Sequence, residues 1–260
     1  MYSVGIDIGS TCAKMIILDE EGRISCRHLR PTGWSSVDTA EELRKVMEEQ
    51  GAAPGSAPVV ATGYGRVSVP FADKTVTEIT CHAKGAVYLH GTDNMTVVDI
   101  GGQDTKVIRI EDGMVKDFVM NDKCSAGTGR FLEVMAGTLG LRPGELCELA
   151  RSGGGTRISS MCTVFAESEI ISLVGRGEKK ENLAFAVVDS IADKVVSQVS
   201  RLDPGKSMVI LTGGLCECGF LREVLSDKLK TDVATSPDDR YAGAVGAALL
   251  ASKAKMRARG

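Results

Sequence analysis

Short runs of buried-type residues, punctuated by polar glycine turns, open the chain, and the same order returns about ninety residues later. Val4-Gly-Ile-Asp-Ile8 predicts a buried strand, and Gly9-Ser-Thr11 a polar hairpin. A second strand follows over 15–18, and the turn Asp19-Glu-Glu-Gly22 leads to a third near Ile24. From position 95 the order repeats: strand 95–99, polar turn Ile100-Gly-Gly-Gln-Asp-Thr105, strand 106–110, turn Glu111-Asp-Gly113, strand 114–120. Both copies read Asp-Ile-Gly, polar residue, lysine, β-branched run, acidic-glycine turn. A repeat of this kind predicts two lobes with a site between them.

Helical spacing appears over 37–49, carried by Val37, Ala40, Leu43, Val46 and Met47 and stopped before Gly51. Further helices are predicted at 78–89, 130–139, 142–150, 166–174, 181–202, from Gly214 to about 230, and at 241–255. Strands at 58–62, 208–212 and 233–236 complete an α/β pattern. The boundaries expected are a first lobe over 1–93 and a second over 94–260, with the small-residue helix at 241–255 able to pack back on the first.

Composition narrows the function classes. With 260 residues, 43% of them hydrophobic, the chain can bury a substantial core. A net charge of -3 with interspersed signs offers no basic stripe for nucleic acid. The apolar runs are too short to span a membrane, and the start of the chain shows no secretory leader, so a cytoplasmic protein is expected. In that compartment the eight cysteines are not a disulfide framework, and they include no CxxC pair.

The two Asp-Ile-Gly turns face one chemical task. Asp7 and Asp99 each end a strand, where a carboxylate can hold a hydrated divalent cation. The neighbouring Gly9, Ser10, Thr11, Cys12 and Ala13, and likewise Gly101, Gly102 and Gln103, leave backbone N–H groups for phosphate oxygens. Lys14 or Lys106 adds a point charge. One such turn could simply close a strand, but two copies in matching contexts, with Thr212-Gly-Gly214 after a third buried strand, favour a nucleotide site. No GxxxxGK[ST] occurs, so this is not a P-loop protein.

Two segments stand apart from this scheme: Asn121-Asp-Lys-Cys-Ser-Ala-Gly-Thr-Gly-Arg-Phe131 and Ser159-Ser-Met-Cys-Thr-Val-Phe165. Each sets a cysteine, Cys124 or Cys162, in a small-residue loop ahead of an amphipathic run. A cysteine at a helix mouth lies in the positive end of the dipole, which favours thiolate and suits a metal or cluster ligand. By spacing alone a pair of buried structural cysteines fits better, because conventional cluster spacings are missing. Cys216-Glu-Cys218 hints at metal yet reads as incidental, and adjacent Cys81-His82 do not face each other on a helix. The loop Tyr64-Gly-Arg66 is either part of a nucleotide site or a plain turn, and Glu167 and Glu169 suit a helix N-terminus.

Asp7-Ile-Gly-Ser-Thr11, Asp99-Ile-Gly-Gly-Gln103 and Thr212-Gly-Gly214 resemble the two phosphate motifs and the adenosine motif of the actin, sugar kinase and Hsp70 superfamily. Ala61-Thr-Gly-Tyr-Gly-Arg66 and the two cysteine segments, the second continuing Cys162-Thr-Val-Phe-Ala-Glu-Ser-Glu169, resemble the activators of 2-hydroxyacyl-CoA dehydratases and the ATPase subunits of benzoyl-CoA reductase. The resemblance runs nearly end to end. It implies a duplicated actin-like (ribonuclease H-like) α/β fold, two lobes with a nucleotide cleft between them. It also implies ATP or ADP with Mg2+, and a homodimer holding one [4Fe-4S] cluster through Cys124 and Cys162 of each subunit. Ser10, Thr11 and Lys14 would touch phosphate, Asp7 and Asp99 the magnesium through water, Gly213 and Gly214 the adenosine, and Gln103 or Asp104 the attacking water.

The implied activity is ATP-driven transfer of single low-potential electrons from a ferredoxin- or flavodoxin-like donor. The acceptor would be an iron–sulfur dehydratase or reductase: a 2-hydroxyacyl-CoA dehydratase, or alternatively benzoyl-CoA reductase or a double-cubane cluster reductase. A small-molecule kinase of the N-acetylsugar type, and a non-redox regulatory ATPase, are the alternatives from other classes. The kinase would need a sugar-binding insertion, for which no segment is available.

Overall fold

The computed structural model describes residues 2–159, 162–202 and 207–257, with side chains described as far as Lys253. Ser160 and Met161, inside the second cysteine segment, lie outside the described residues. The chain divides into two units. Unit 1 takes the described residues of Met1–Asp93, Ile110–Lys116 and Asp238–Gly260, and unit 2 those of Asn94–Arg109 and Asp117–Pro237.

Unit 1 is built on β1 (Ser3–Ile8), β2 (Cys12–Leu18), β3 (Ile24–Pro31), β4 (Val59–Thr62) and β5 (Lys74–Thr75), in the order β3-β2-β1-β4-β5. β1 pairs antiparallel with β2 and parallel with β4. Period-2 alternation decides what covers each face. Val4, Ile6 and Ile8 pack beneath α1 (Ser36–Glu49) with its buried Ala40, Leu43 and Met47, each large side chain adding about 1.5–3 kcal/mol by burial. Ser35 caps α1 by accepting the Asp38 N–H through Oγ at 3.1 Å. The other face carries α2 (Glu78–His90) and α8 (Ala242–Arg257). Backbones there approach closely: a Cβ on Gly5 would stand 2.0 Å from the Ala244 carbonyl oxygen, and one on Gly85 1.9 Å from that of Ala242. Glycine and alanine are needed at these crossings.

The second sheet repeats the plan. It contains β6 (Met95–Ile100), β7 (Thr105–Glu111), β8 (Met114–Asn121), β9 (Met208–Gly213) and β10 (Val233–Ala234), in the order β10-β9-β6-β7-β8. Read from the opposite edge, this is the order of the first sheet, with β6 parallel to β9 as β1 is to β4. In unit 2 the helices α3 (Gly129–Thr138), α4 (Pro143–Ala150), α5 (Thr163–Gly175), α6 (Lys180–Val199) and α7 (Gly219–Leu229) close one core, centred on Phe131, Met135, Leu183, Val187, Ile191 and Leu211. Among the described residues no helix is long and apolar enough to cross a membrane.

Candidate functional site

Each unit ends its first strand in a buried carboxylate set beside a glycine at the end of the neighbouring parallel strand. In unit 1 Asp7 is 3% exposed and stands opposite Thr62, with Lys14 Nζ 3.5 Å from its Oδ2. Gly63 follows with φ +90°, and a Cβ there would meet Asp7 Oδ1 at 2.5 Å. In unit 2 Asp99 is 2% exposed and stands opposite Thr212, with Lys106 Nζ 3.4 Å from its Oδ2. Gly213 follows with φ +82°, and a Cβ there would meet Asp99 Oδ1 at 2.8 Å. Thr62-Gly63 is therefore the counterpart of Thr212-Gly213. The sequence reading assigned a nucleotide role to the second pair and passed over Gly63, although the shared Thr-Gly after a buried strand was the available signal.

The first phosphate loop is a tight hairpin in which the Gly9 N–H donates to the Cys12 carbonyl at 3.1 Å. Thr32 Oγ1 anchors it by donating to the Gly9 carbonyl at 2.7 Å, and Ser10 at its tip is exposed. Thr11 and Cys12 are half-buried and Ala13 is buried, so Cys12 fills a hairpin position with no disulfide partner. The loop Tyr64-Gly-Arg66 is pinned to the same strand end: the Gly65 N–H donates to the Ile8 carbonyl at 2.8 Å, and Arg66 Nη1 to the Gly63 carbonyl at 3.0 Å. His82, which the sequence reading set aside, lies beside Asp7. A Cβ on Gly243 would stand 2.8 Å from both Asp7 Oδ2 and His82 Nε2.

In the second loop Gly101 N–H donates to the Asp104 carbonyl at 2.9 Å, mirroring the Gly9–Cys12 bond. The two candidates for water positioning differ. Asp104 Oδ2 is 2.7 Å from Lys106 Nζ, while Gln103 is exposed at the loop tip. Thr212 Oγ1 donates to Asp99 Oδ1 at 3.0 Å. Gly214 opens a short 3-10 turn, Gly214–Glu217, beyond Gly213.

The two cysteine loops lie in unit 2 and touch. Cys124 and Cys162 are both exposed. Ser125 Oγ and Thr163 Oγ1, on the residues that follow them, are 2.7 Å apart. Asn121 clamps the first loop, its Nδ2 donating to the Cys124 carbonyl at 2.7 Å and its Oδ1 accepting the Cys124 N–H at 3.3 Å. The loop then runs onto the second phosphate loop, where the Gly129 N–H donates to the Gly101 carbonyl at 2.9 Å and the Arg130 N–H to the Gly102 carbonyl at 2.7 Å. Glu169 holds the approach to the other cysteine, accepting the Ser159 N–H at 3.0 Å and its hydroxyl at 2.9 Å.

The expectation of a helix mouth holds for one cysteine. Cys162 is the N-cap of α5, which begins three residues earlier than the predicted 166. Cys124 is separated from α3 by a turn in which the Thr128 N–H donates to the Ser125 carbonyl at 3.0 Å, so α3 starts at Gly129, five residues after the cysteine and within one residue of the predicted 130. Cys216 and Cys218 are buried in the unit 2 core. The Cys147 thiol bonds to Cys218 and draws its pKa down, while Cys147 is itself pushed up.

The donor set fits an iron–sulfur cluster in half-complement. Two exposed thiols on joined loops are half of the four thiolates that a [4Fe-4S] cluster takes. Among the described residues no group of three or more His, Cys, Asp or Glu side chains is placed to hold a metal ion.

Two sheets of one topology, each with a strand-end carboxylate, lysine and glycine loop, define an α/β ATPase of the actin and sugar kinase type. The chain belongs to the BadF/BadG/BcrA/BcrD ATPase family, whose pattern matches residues 4–251. It is 42% identical to the (R)-2-hydroxyglutaryl-CoA dehydratase activating ATPase of Acidaminococcus fermentans, over 97% of this chain and 98% of that one. It is also 42% identical to the activator of lactoyl-CoA dehydratase of Anaerotignum propionicum, over 99% of this chain and 100% of that one. The solved activator of the 2-hydroxyisocaproyl-CoA dehydratase from Clostridium difficile, with bound ADPNP, superposes with a TM-score of 0.92 at 36% identity, over 100% of this chain and 97% of that one.

Proposed function

We propose that this ATPase is an iron–sulfur activator that couples ATP hydrolysis to single-electron delivery to a 2-hydroxyacyl-CoA dehydratase. The relatives' names supply the acceptor class. The carrying observation belongs to this chain: two exposed cysteines on hydroxyl-bridged loops, one loop hydrogen-bonded through its backbone to the second phosphate loop. A benzoyl-CoA reductase or double-cubane cluster reductase would be an acceptor of the same chemistry.

Each unit carries its own candidate phosphate loop. Ser10, Thr11 and Lys14 bind phosphate in one, in a loop whose shape is held by the Gly9 N–H bond to the Cys12 carbonyl. Gly101, Gly102 and Gln103 do so in the other, while Gly213 and Gly214 approach adenosine. Asp7 and Asp99 hold hydrated Mg2+, which their burial at strand ends and flanking lysines prepare them to do. Exposed Gln103 orients the attacking water, because Asp104 is already engaged by Lys106. Hydrolysis is direct, without a covalent protein intermediate.

Cys124 and Cys162 would hold a [4Fe-4S] cluster, which when bound supplies a one-electron carrier. Two thiolates per chain require a second chain, so a homodimer related by a twofold axis completes the set. The apolar side chains Val164, Phe165, Ile171 and Val174 are exposed on α5, the helix that Cys162 caps, and a second copy sharing the ligands would cover them. Electrons arrive from a ferredoxin- or flavodoxin-like donor, and the cytoplasm is the compartment that suits thiol ligands.

Anaerobic purification with iron and sulfide analysis tests this reading. One [4Fe-4S] cluster per two chains is expected, with its absorption lost in Cys124→Ser and nucleotide binding kept. A colourless, iron-free protein with intact cysteines would sink it, and phosphorylation of an amino sugar would point to the kinase class instead.

A further inference from the structure

The bond between Ser125 and Thr163 has a place that packing alone does not require. It joins the residue after one cysteine to the residue after the other, across thirty-eight positions of sequence, at 2.7 Å. On the Ser125 side the loop is stiff, since the Ser125 carbonyl accepts both the N–H of Thr128 at 3.0 Å and its hydroxyl at 2.6 Å. Thr105, at the start of β7, donates its hydroxyl to the Gly127 carbonyl at 2.7 Å, and Gly127 has φ +84°. Two residues further on, Gly129 and Arg130 donate to the carbonyls of Gly101 and Gly102. On the Thr163 side the residue is the first of α5, and Cys162 is its cap.

A path of short hydrogen bonds, joined by the Thr128–Gly129 backbone, therefore leads from the phosphate loop, through the Cys124 loop, to the start of the helix that carries Cys162. We propose that Ser125 and Thr163 are positioning residues: their hydroxyl bridge fixes the two cysteines as one ligand pair and passes displacement of the Gly101–Gly102 loop to Cys162. This rests on the cluster reading above and adds the route by which nucleotide reaches the second ligand. A second connection joins α3 to α5, where Thr138 Oγ1 donates to Glu167 Oε1 at 3.0 Å. It begins at the far end of α3 from the phosphate loop, so it is not part of the route. Contiguous bonds of this kind are a physical candidate for coupling and need a coupling measurement.

The test is the rate at which an iron chelator strips the anaerobically reconstituted dimer, followed by loss of visible absorption, with no nucleotide, with MgADP and with MgATP. In the natural protein the rate should depend on nucleotide by about fivefold or more, the lower end of ordinary allosteric coupling. Thr163→Val and Ser125→Ala should each assemble the cluster with unchanged circular dichroism but strip at one rate in all three conditions. Thr163→Ser should restore the nucleotide dependence, and Thr138→Val should retain it. Nucleotide dependence surviving in both Thr163→Val and Ser125→Ala, or lost equally in Thr138→Val, overturns the route. So does a natural protein whose cluster is indifferent to nucleotide. A natural protein that takes up no iron defeats the cluster reading itself, which is a different failure.

Discussion

Asp99 Oδ1 accepts the hydroxyl hydrogen of Thr212 at 3.0 Å, with both residues buried and directly opposite in the β6–β9 register. The carboxylate is thus aimed from the next strand, while Lys106 approaches its other oxygen. In Asp99→Asn the amide oxygen can still accept from Thr212, so the shape survives and the charge does not. ATP turnover is expected to fall on the order of 100-fold, as when one preorganised electrostatic contact is lost at a reacting phosphate. Thr212→Val should cost less, because it frees the carboxylate without removing it. Phosphate release by purified variants measures both, and an Asp99→Asn protein with natural turnover would remove Asp99 from the site.

Gly246 and Cys81 set the spacing of α8 against α2: a Cβ at Gly246 would stand 1.8 Å from the Cys81 carbonyl oxygen. The obstacle is backbone, so the helices must part. Gly246→Ala is expected to lose at least about 1–3 kcal/mol of stability, the range for overpacked cores. Gly137→Ala, inside α3 with nothing within 4 Å of its Cβ position, should instead gain about 0.5–1 kcal/mol. Denaturant melts of the two variants should therefore move in opposite directions.

The short apolar runs and the repeated Asp-Ile-Gly turns made both sheets legible, because a strand buried on both faces leaves a continuous apolar signal. β5 was missed: Lys74 and Thr75 are exposed and polar, and two residues carry no periodicity. The early start of α5 was missed for a related reason, since Thr163, Val164 and Phe165 lie outside its buried face and Ala166 is the first residue to pack. The two cysteines were paired through the family resemblance, and the contact between their loops was not legible. Nothing in the spacing of Cys124 and Cys162 announces the Ser125–Thr163 contact, which tertiary packing of α3 against α5 creates. Equivalence of Gly63 with Gly213 likewise needed the strand registers.

Cys81 makes the stability of unit 1 sensitive to alkali. Burial, chiefly, with the Asp7 and Glu78 carboxylates adding to it, pushes its thiol up to about 12. An unfolded chain releases that proton near pH 8.5, so the folded form binds more protons between the two values. Stability is complete below about pH 8.5 and declines as pH rises toward 12, by about 1.4 kcal/mol per pH unit while the difference is one proton. Cys81→Ala should lose stability at neutral pH through the cavity it leaves, yet show a shallower decline in alkali than the natural chain. Urea melts across this range give the comparison, and parallel declines would show that other groups dominate.

The α5 face offers a direct measurement of the dimer. Val164 is 66% exposed, Phe165 68%, Ile171 58% and Val174 51%, whereas only Ala166 and Ile170 of this helix are fully buried among the described residues. In the proposed dimer a second copy would cover these side chains, and the same association would complete four thiolates. Ile171→Asp places a charge where each protomer would desolvate it without a partner, a cost of several kcal/mol that an interface of modest size cannot absorb. Light scattering should show a monomer, and reconstitution should leave its iron unbound although both cysteines remain. Met114→Asp, at an equally exposed apolar position on the β7–β8 hairpin, should stay dimeric and take up iron. A dimer that survives Ile171→Asp with its cluster intact would place the twofold axis away from α5.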